Sequence, residues 1–217
     1  MSGPAPTRAL ARLFAAGPLL LLAACSGALL PRPAQPPARF LLDGGALVAP
    51  AHQAAVNAPV LTVDVPRAAP GYDSRRMLYL RRPQQLEAFA FHEWVATPAQ
   101  MLTPMLVGAL RNGGAFRVVV SSPTAAAGIW RLETDLLRLH QDFTRQPSRV
   151  RLTAHAVLLD GVTRQALAWR EFDIGVDAAG DDPASGAVAA QAAAQQLAVA
   201  VAVFCAEQVR GTATRPR

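Results

Sequence analysis

From residue 149 the chain alternates residue by residue. Val150, Leu152, Ala154, Ala156 and Leu158 hold one parity, and Arg149, Arg151, Thr153 and His155 hold the other. A period of two with one apolar and one polar side predicts a strand in a sheet covered on one face. Asp160-Gly161 marks a turn, and "ALAWREFDIGV" (166–176) returns. With "IWRLETDLLRLHQDF" (129–143) before it, the segment predicts an antiparallel meander of three strands. In the first strand Trp130, Leu132 and Leu136 share a face, while Leu137 and Leu139 take the opposite one. A β-bulge near Leu136-Leu137 would carry that change.

Earlier segments are shorter. "ARFLLD" (38–43), stopped by Gly44-Gly45, and "PVLTVDVP" (59–66), in which Leu61, Val63 and Val65 alternate with Val60, Thr62 and Asp64, predict two strands. "MLYLRR" (77–82) and "QLEAFAFHEW" (85–94) flank Pro83-Gln84 as a hairpin would, and "FRVVVS" (116–121) is a further strand. Thr97-Pro98-Ala99-Gln100 is a capping box with proline at the first helical position. Met101, Leu102, Met105, Leu106, Ala109 and Leu110 then form one stripe, ended by Asn112-Gly113-Gly114. Pro104 removes an intrahelical bond, so the helix is expected either to kink there or to start at Thr103. A last Ala-rich helix is expected from about Pro183 to Arg210, with Asp182 at its start and Gly211 as its stop. Its Leu197–Ala206 stretch is wholly apolar, but Gln191, Gln195 and Gln196 cut the run below the roughly 20 residues a bilayer span requires, so burial against the sheet is expected. The fold class is therefore α/β: a single domain with a curved, mostly antiparallel sheet and helices packed on one face.

Composition refines this. Of 217 residues 52% are hydrophobic but only 6% aromatic, so the core is expected to be aliphatic. The formal charge of +6 comes entirely from arginine, scattered singly or in pairs (Arg75-Arg76, Arg81-Arg82), which gives no stripe for nucleic acid. His52, His92, His140 and His155 show no metal-ligand spacing, and neither a Cys-x-x-Cys nor a His-Glu-x-x-His occurs. His155 lies on a polar strand face and is expected to be solvated. His92-Glu93 could form a held general base, yet no nucleophile signature accompanies it; Ser121-Ser122 runs into Pro123, and Gly113-Gly114 ends a helix where a phosphate loop would begin one. Neither an enzyme nor a cofactor or metal is expected. Cys205, inside an apolar run, is expected to be a buried, inert thiol.

The N-terminus carries the sharpest motif. Arg8 and Arg12 precede the apolar run Ala15–Leu22, an export signal too short to span a bilayer. Leu22-Ala23-Ala24-Cys25 resembles the bacterial lipobox, at which a lipoprotein signal peptidase cleaves before a lipidated cysteine. That resemblance implies acyl chains on Cys25, and Ser26 in place of aspartate implies sorting to the periplasmic face of the outer membrane. An ordinary secretory signal ending at a cysteine is the alternative. The expected organisation is a leader over residues 1–24, a Pro-rich tether over 25–37, an α/β domain over 38–210 and a disordered tail over 211–217.

The lipobox together with Met77-Leu78-Tyr79-Leu80, Leu86-Glu87-Ala88-Phe89, Glu93-Trp94, Pro98, Met101-Leu102, Leu106, Leu110 and Phe116-Arg117-Val118 is similar to the ABC-type transport auxiliary lipoproteins. The Trp130 strand, Leu159-Asp160, Arg170-Glu171-Phe172 and the Ala-rich terminal helix extend the likeness. It implies a non-catalytic component that docks an MCE-domain protein of an ABC transport complex to the outer membrane for traffic of phospholipid or another hydrophobic cargo, with a homo-oligomer left open. An outer-membrane lipoprotein of lipopolysaccharide assembly or secretion, and a periplasmic hydrolase built on His92, are the competing classes. Trp94 and the Met101–Leu110 stripe are expected to pack the core.

Overall fold

The computed structural model describes residues 36–43, 54–124 and 128–213. The leader, Cys25, most of the tether and His52 lie outside the described residues. Among the described residues nine strands form one mixed sheet: β1 (Ala38–Phe40), β2 (Val60–Val63), β3 (Arg67–Ala68), β4 (Arg76–Arg82), β5 (Gln85–Trp94), β6 (Val118–Ser121), β7 (Trp130–Asp142), β8 (Arg149–Asp160) and β9 (Ala166–Asp177). Among the described residues two helices accompany them, α1 (Pro98–Asn112) between β5 and β6, and α2 (Pro183–Ala213) after β9.

The meander is present as expected, β7 with β8 and β8 with β9 antiparallel along nearly their whole lengths. The register of β7 on β8 slips between Leu136 and Arg138, where the apolar parity changes. Thus Trp130, Leu132 and Leu136 before the bulge and Leu139 after it all point into the core. The β8–β9 turn is closed by the Asp160 carboxylate, which accepts from the N–H groups of Val162 (2.8 Å) and Thr163 (2.7 Å). Gly161 is needed there because a Cβ would run into the carbonyls of Gly128 and Ile129.

The other edge of β7 is shared by three short strands in chain order, all parallel to it. Leu61–Val63 of β2 lie beside Trp130–Leu132, β3 beside Asp135–Leu136, and Tyr79–Leu80 of β4 beside Gln141–Asp142. β6 adds to β2 in parallel, and β5 adds to β4 as the expected hairpin, with β1 parallel at its far side. The longest ladders are antiparallel and the short flanking ones are parallel. Held between β6 and β7, β2 buries Thr62 as well as Leu61 and Val63, a departure from the one-sided burial its alternation suggests.

Thr97 accepts from Gln100 N–H and the Gln100 side chain accepts from Thr97 N–H, each at 3.4 Å, so the capping box forms. The helix starts at Pro98 and runs through Pro104 to Asn112. Of the two expectations for Pro104, the later start at Thr103 is therefore not adopted. The helix buries its whole expected stripe, and Trp94 joins the same core. Asp182 starts α2 by accepting from Ala184 and Ser185 N–H groups, both at 2.9 Å. The helix continues past Gly211 to Ala213, beyond the expected stop. It is long and apolar enough to cross a bilayer, with mean hydropathy 1.7, but half of that window is buried, with Leu197, Ala198, Val201, Phe204 and Cys205 in the core. Gly186 lets its first turns approach β7, since a methyl there would collide with the Gln141 amide.

Candidate functional site

The residues singled out for chemistry do not converge. The expected lipidation residue, Cys25, is outside the described residues. Cys205 is fully buried, and burial in apolar surroundings pushes its thiol up to about 12, so the reactive thiolate is suppressed. His92 and Glu93 are adjacent on β5, and strand geometry sends neighbouring side chains to opposite faces. The His92 ring lies 6.0 Å from those of Phe40 and Phe89, whereas the Glu93 carboxylate meets Arg39 at 2.9 Å and Arg75 at 3.9 Å. The carboxylate therefore does not hold the imidazole as a general base.

His155 departs from the solvated expectation. Its side chain is half-buried, with Nδ1 4.0 Å from Asp135 Oδ2 and its ring 5.3 Å from that of Trp169. His140 shares the outer parity of β7 yet is buried, because the loop before β4 lays Tyr72 over it, with the phenol oxygen 3.2 Å from His140 Nδ1. Burial, then the nearby Arg138 charge, lowers His140 to about 4, which keeps it neutral. Its adjacent residue Gln141, on the inner parity, donates to Ser148 Oγ at 2.9 Å. These are packed structural groups. Among the described residues no group of three or more His, Cys, Asp or Glu side chains is placed to hold a metal ion.

What the fold does assemble is a surface. The outer face of the sheet carries a lattice of ion pairs: Arg131 with Asp64 (2.7 Å), Arg67 with Asp135 (2.8 Å), Arg151 with Asp173 (2.6 Å) and Arg149 with Asp177 (2.6 Å). On the side away from the helices these pairs tie β7 to β3 and to Asp64 just past β2, and tie β8 to β9. Trp169 stands on this face 67% exposed, while Trp94 and Trp130 are buried at 4% and 8%. No motif in the sequence marks Trp169. Its signal was parity: Trp169 alternates in step with Glu171 and Asp173, opposite Phe172. At the end of the molecule where α1 and α2 terminate, a cleft of about 720 Å³ is walled by Gly113, Gly114, Val209 and Trp130. Among the described residues its lining contains no acid, histidine or cysteine.

The chain can now be set beside known proteins. Residues 40–202 match the family model described as ABC-type transport auxiliary lipoprotein component. No curated protein matches. Among solved structures, protein XCC0632 from Xanthomonas campestris is similar in fold, with a TM-score of 0.67 at 20% identity, covering 83% of this chain and 97% of that one. An uncharacterized protein gives 0.62 at 14% identity, covering 79% and 99%. The hypothetical protein CT253 from Chlamydia trachomatis gives 0.50 at 7% identity, covering 69% and 96%. The family match runs from Phe40 of β1 through every later strand and into α2. On that span the chain belongs to the ABC-type transport auxiliary lipoprotein family, whose members are transport-associated lipoproteins.

Proposed function

We propose that this protein is the outer-membrane lipoprotein of an MCE-type ABC lipid-transport system, docking the periplasmic MCE assembly to the membrane so that phospholipid or another hydrophobic cargo can pass. The observation that carries the proposal is the coincidence, in one chain, of Leu22-Ala23-Ala24-Cys25 with the family body over residues 40–202. Cys25 holds acyl chains, and at about 0.8 kcal/mol per buried methylene two or three chains anchor far more firmly than one. The Pro-rich segment over residues 25–37 then links that anchor to the body. The charged outer face of the sheet and its exposed tryptophan are the surface offered to partners.

The test is mass spectrometry of the mature protein extracted in detergent, together with identification of what co-purifies. The expected result is a polypeptide beginning at an acylated Cys25 and recovered with an MCE-domain protein. An unmodified sulfur with upstream residues retained would remove the anchor. Recovery with a lipopolysaccharide-assembly or secretion complex instead would overturn the MCE assignment and leave the anchor standing.

A further inference from the structure

We infer that the open edge of β9, from Trp169 to Asp173, is a strand-addition site for an extended segment of a partner protein, one that places an apolar side chain beside Trp169 and a lysine or arginine opposite Glu171. The inference goes beyond the docking role and holds whatever the partner's family.

The backbone makes the site. Among the described residues β9 pairs with β8 alone, so its other edge carries no strand. Ala178 N–H donates to Ser148 O at 2.8 Å, and the register continues in steps of two through Val176–Val150, Ile174–Leu152, Phe172–Ala154 and Arg170–Ala156. The N–H groups of that series therefore face β8, and those of Trp169, Glu171, Asp173, Gly175 and Asp177 face the open side. At 12 residues β9 is about twice the usual strand length, and its register on β8 is unbroken from Ala168 to Asp177. The other edge strands, β1 and β6, have 3 and 4 residues.

Long open edges attract other strands unless their charges deter them. Here the charges deter some partners and select others. Arg170 is paired with Glu207 at 3.1 Å, Asp173 with Arg151 and Asp177 with Arg149, both at 2.6 Å, each in an exposed pair that leaves its charges on the edge. Glu171 is exposed and has no ion-pair partner among the described residues. A second copy is a poor occupant. An antiparallel pairing of β9 with itself centred on Glu171, Phe172, Asp173 or Ile174 sets carboxylates from the 171, 173 and 177 positions directly opposite one another. Centring on Arg170 instead sets that arginine against itself. Like charges directly opposite are destabilising, so the edge favours a different, basic strand. Trp169 supplies the apolar anchor, exposed beside the open edge and steadied by the His155 ring at 5.3 Å. Leu167 and Val162 are also exposed at this end of the sheet.

The experiment uses the full mature lipoprotein in detergent micelles and two synthetic peptides of about ten residues, one repeating valine-threonine-lysine-threonine and one repeating valine-threonine-glutamate-threonine, so that valine and the charged residue follow one another along the same face of the strand. Residue-resolved hydrogen exchange is followed at Trp169, Glu171 and Asp173. Fast exchange is expected in the free protein, with slowing by the lysine peptide and binding about fivefold or more tighter than the glutamate peptide. Glu171→Lys keeps the fold and is expected to reverse that preference. Equal affinity for the two peptides, or no slowing with either, would overturn the inference. So would amides already protected in a protein that sediments as a dimer, which would make the occupant a second copy. A failure here leaves the acylated cysteine and its co-purifying complex untouched.

Discussion

Neighbouring side chains on β8 sit in different solvents. Leu152, Ala154, Ala156 and Leu158 are completely buried beneath the helices, while Arg149, Arg151 and His155 stand on the wet face, paired across strands to Asp177, Asp173 and Asp135. The inner face is built for close approach. Ala154 and Ala156 meet an α2 surface that itself buries Ala190, Ala193, Ala194 and Ala198, so few aromatic rings are needed to fill the space. Stability should reside on the inner face, where each methylene removed from water contributes about 0.8 kcal/mol, and recognition on the outer one, where paired charges in water contribute little.

The largest expected effect breaks the inner face. Leu152→Ala should cost about 2–5 kcal/mol, because the lost transfer energy is joined by a cavity that a rigid helix-on-sheet layer cannot collapse around. Urea unfolding measures it as a shift in midpoint at unchanged slope.

The second effect falls where the outer face is itself covered. His140 is held near 4 by burial, against 6.5 when exposed. The unfolded chain therefore binds more protons than the folded one between those values. The stabilising contribution of neutral His140 is complete above 6.5 and is lost as pH falls towards 4, by at most about 3 kcal/mol. Arg149 holds the Asp177 carboxyl below its ordinary range, and Ser185 does the same for Asp182, so these groups titrate lower and leave the window to His140. His140→Gln can still hydrogen-bond Tyr72 and should flatten the dependence between about pH 7 and about pH 4.5. Equal slopes for the two proteins would show that His140 is protonated in place.

The inner face was largely legible in the sequence, and the reason is contrast. In Arg149–Leu158 every second residue is apolar and its neighbours are polar as far as His155, so strand, face and partner direction all follow. The bulge at Leu136 was legible as a parity change, and the start of α1 as reciprocal side-chain caps. The parallel pairings of β2, β3 and β6 were not, because a parallel neighbour lies far along the chain and leaves no turn signal; β3, two residues long, has no period at all. The burial of His140 was hidden because its parity says solvent and only the Tyr72 loop says otherwise. Gly211 misplaced the end of α2, since one glycine costs a helix only about 1 kcal/mol and neighbouring turns can absorb that. At the functional level, the likeness to a lipobox rests on four consecutive residues that lie outside the described ones. Trp169 needed its parity weighed against that of Phe172.

The smallest expected effect sharpens the comparison from the outer side. Arg67 of β3 donates to both Asp135 oxygens, at 2.8 and 3.3 Å, and reaches Glu133 at 3.5 Å, but its side chain is 68% exposed. The three groups sit beside Arg131 and Asp64, so the cluster is a network in which one arginine orders the carboxylates used by the next. Fixing a long side chain in water offsets most of the Coulomb gain, and Arg67→Gln should cost about 1 kcal/mol or less at low ionic strength. At about 1 M salt, where charges farther apart than about 3 Å are screened, the difference from the parent should fade. Thermal unfolding at the two salt concentrations decides it. A loss as large as that of Leu152→Ala, or one that salt leaves unchanged, would mean that the wet face carries structural weight comparable to the dry one and that its charges are not free to serve a partner.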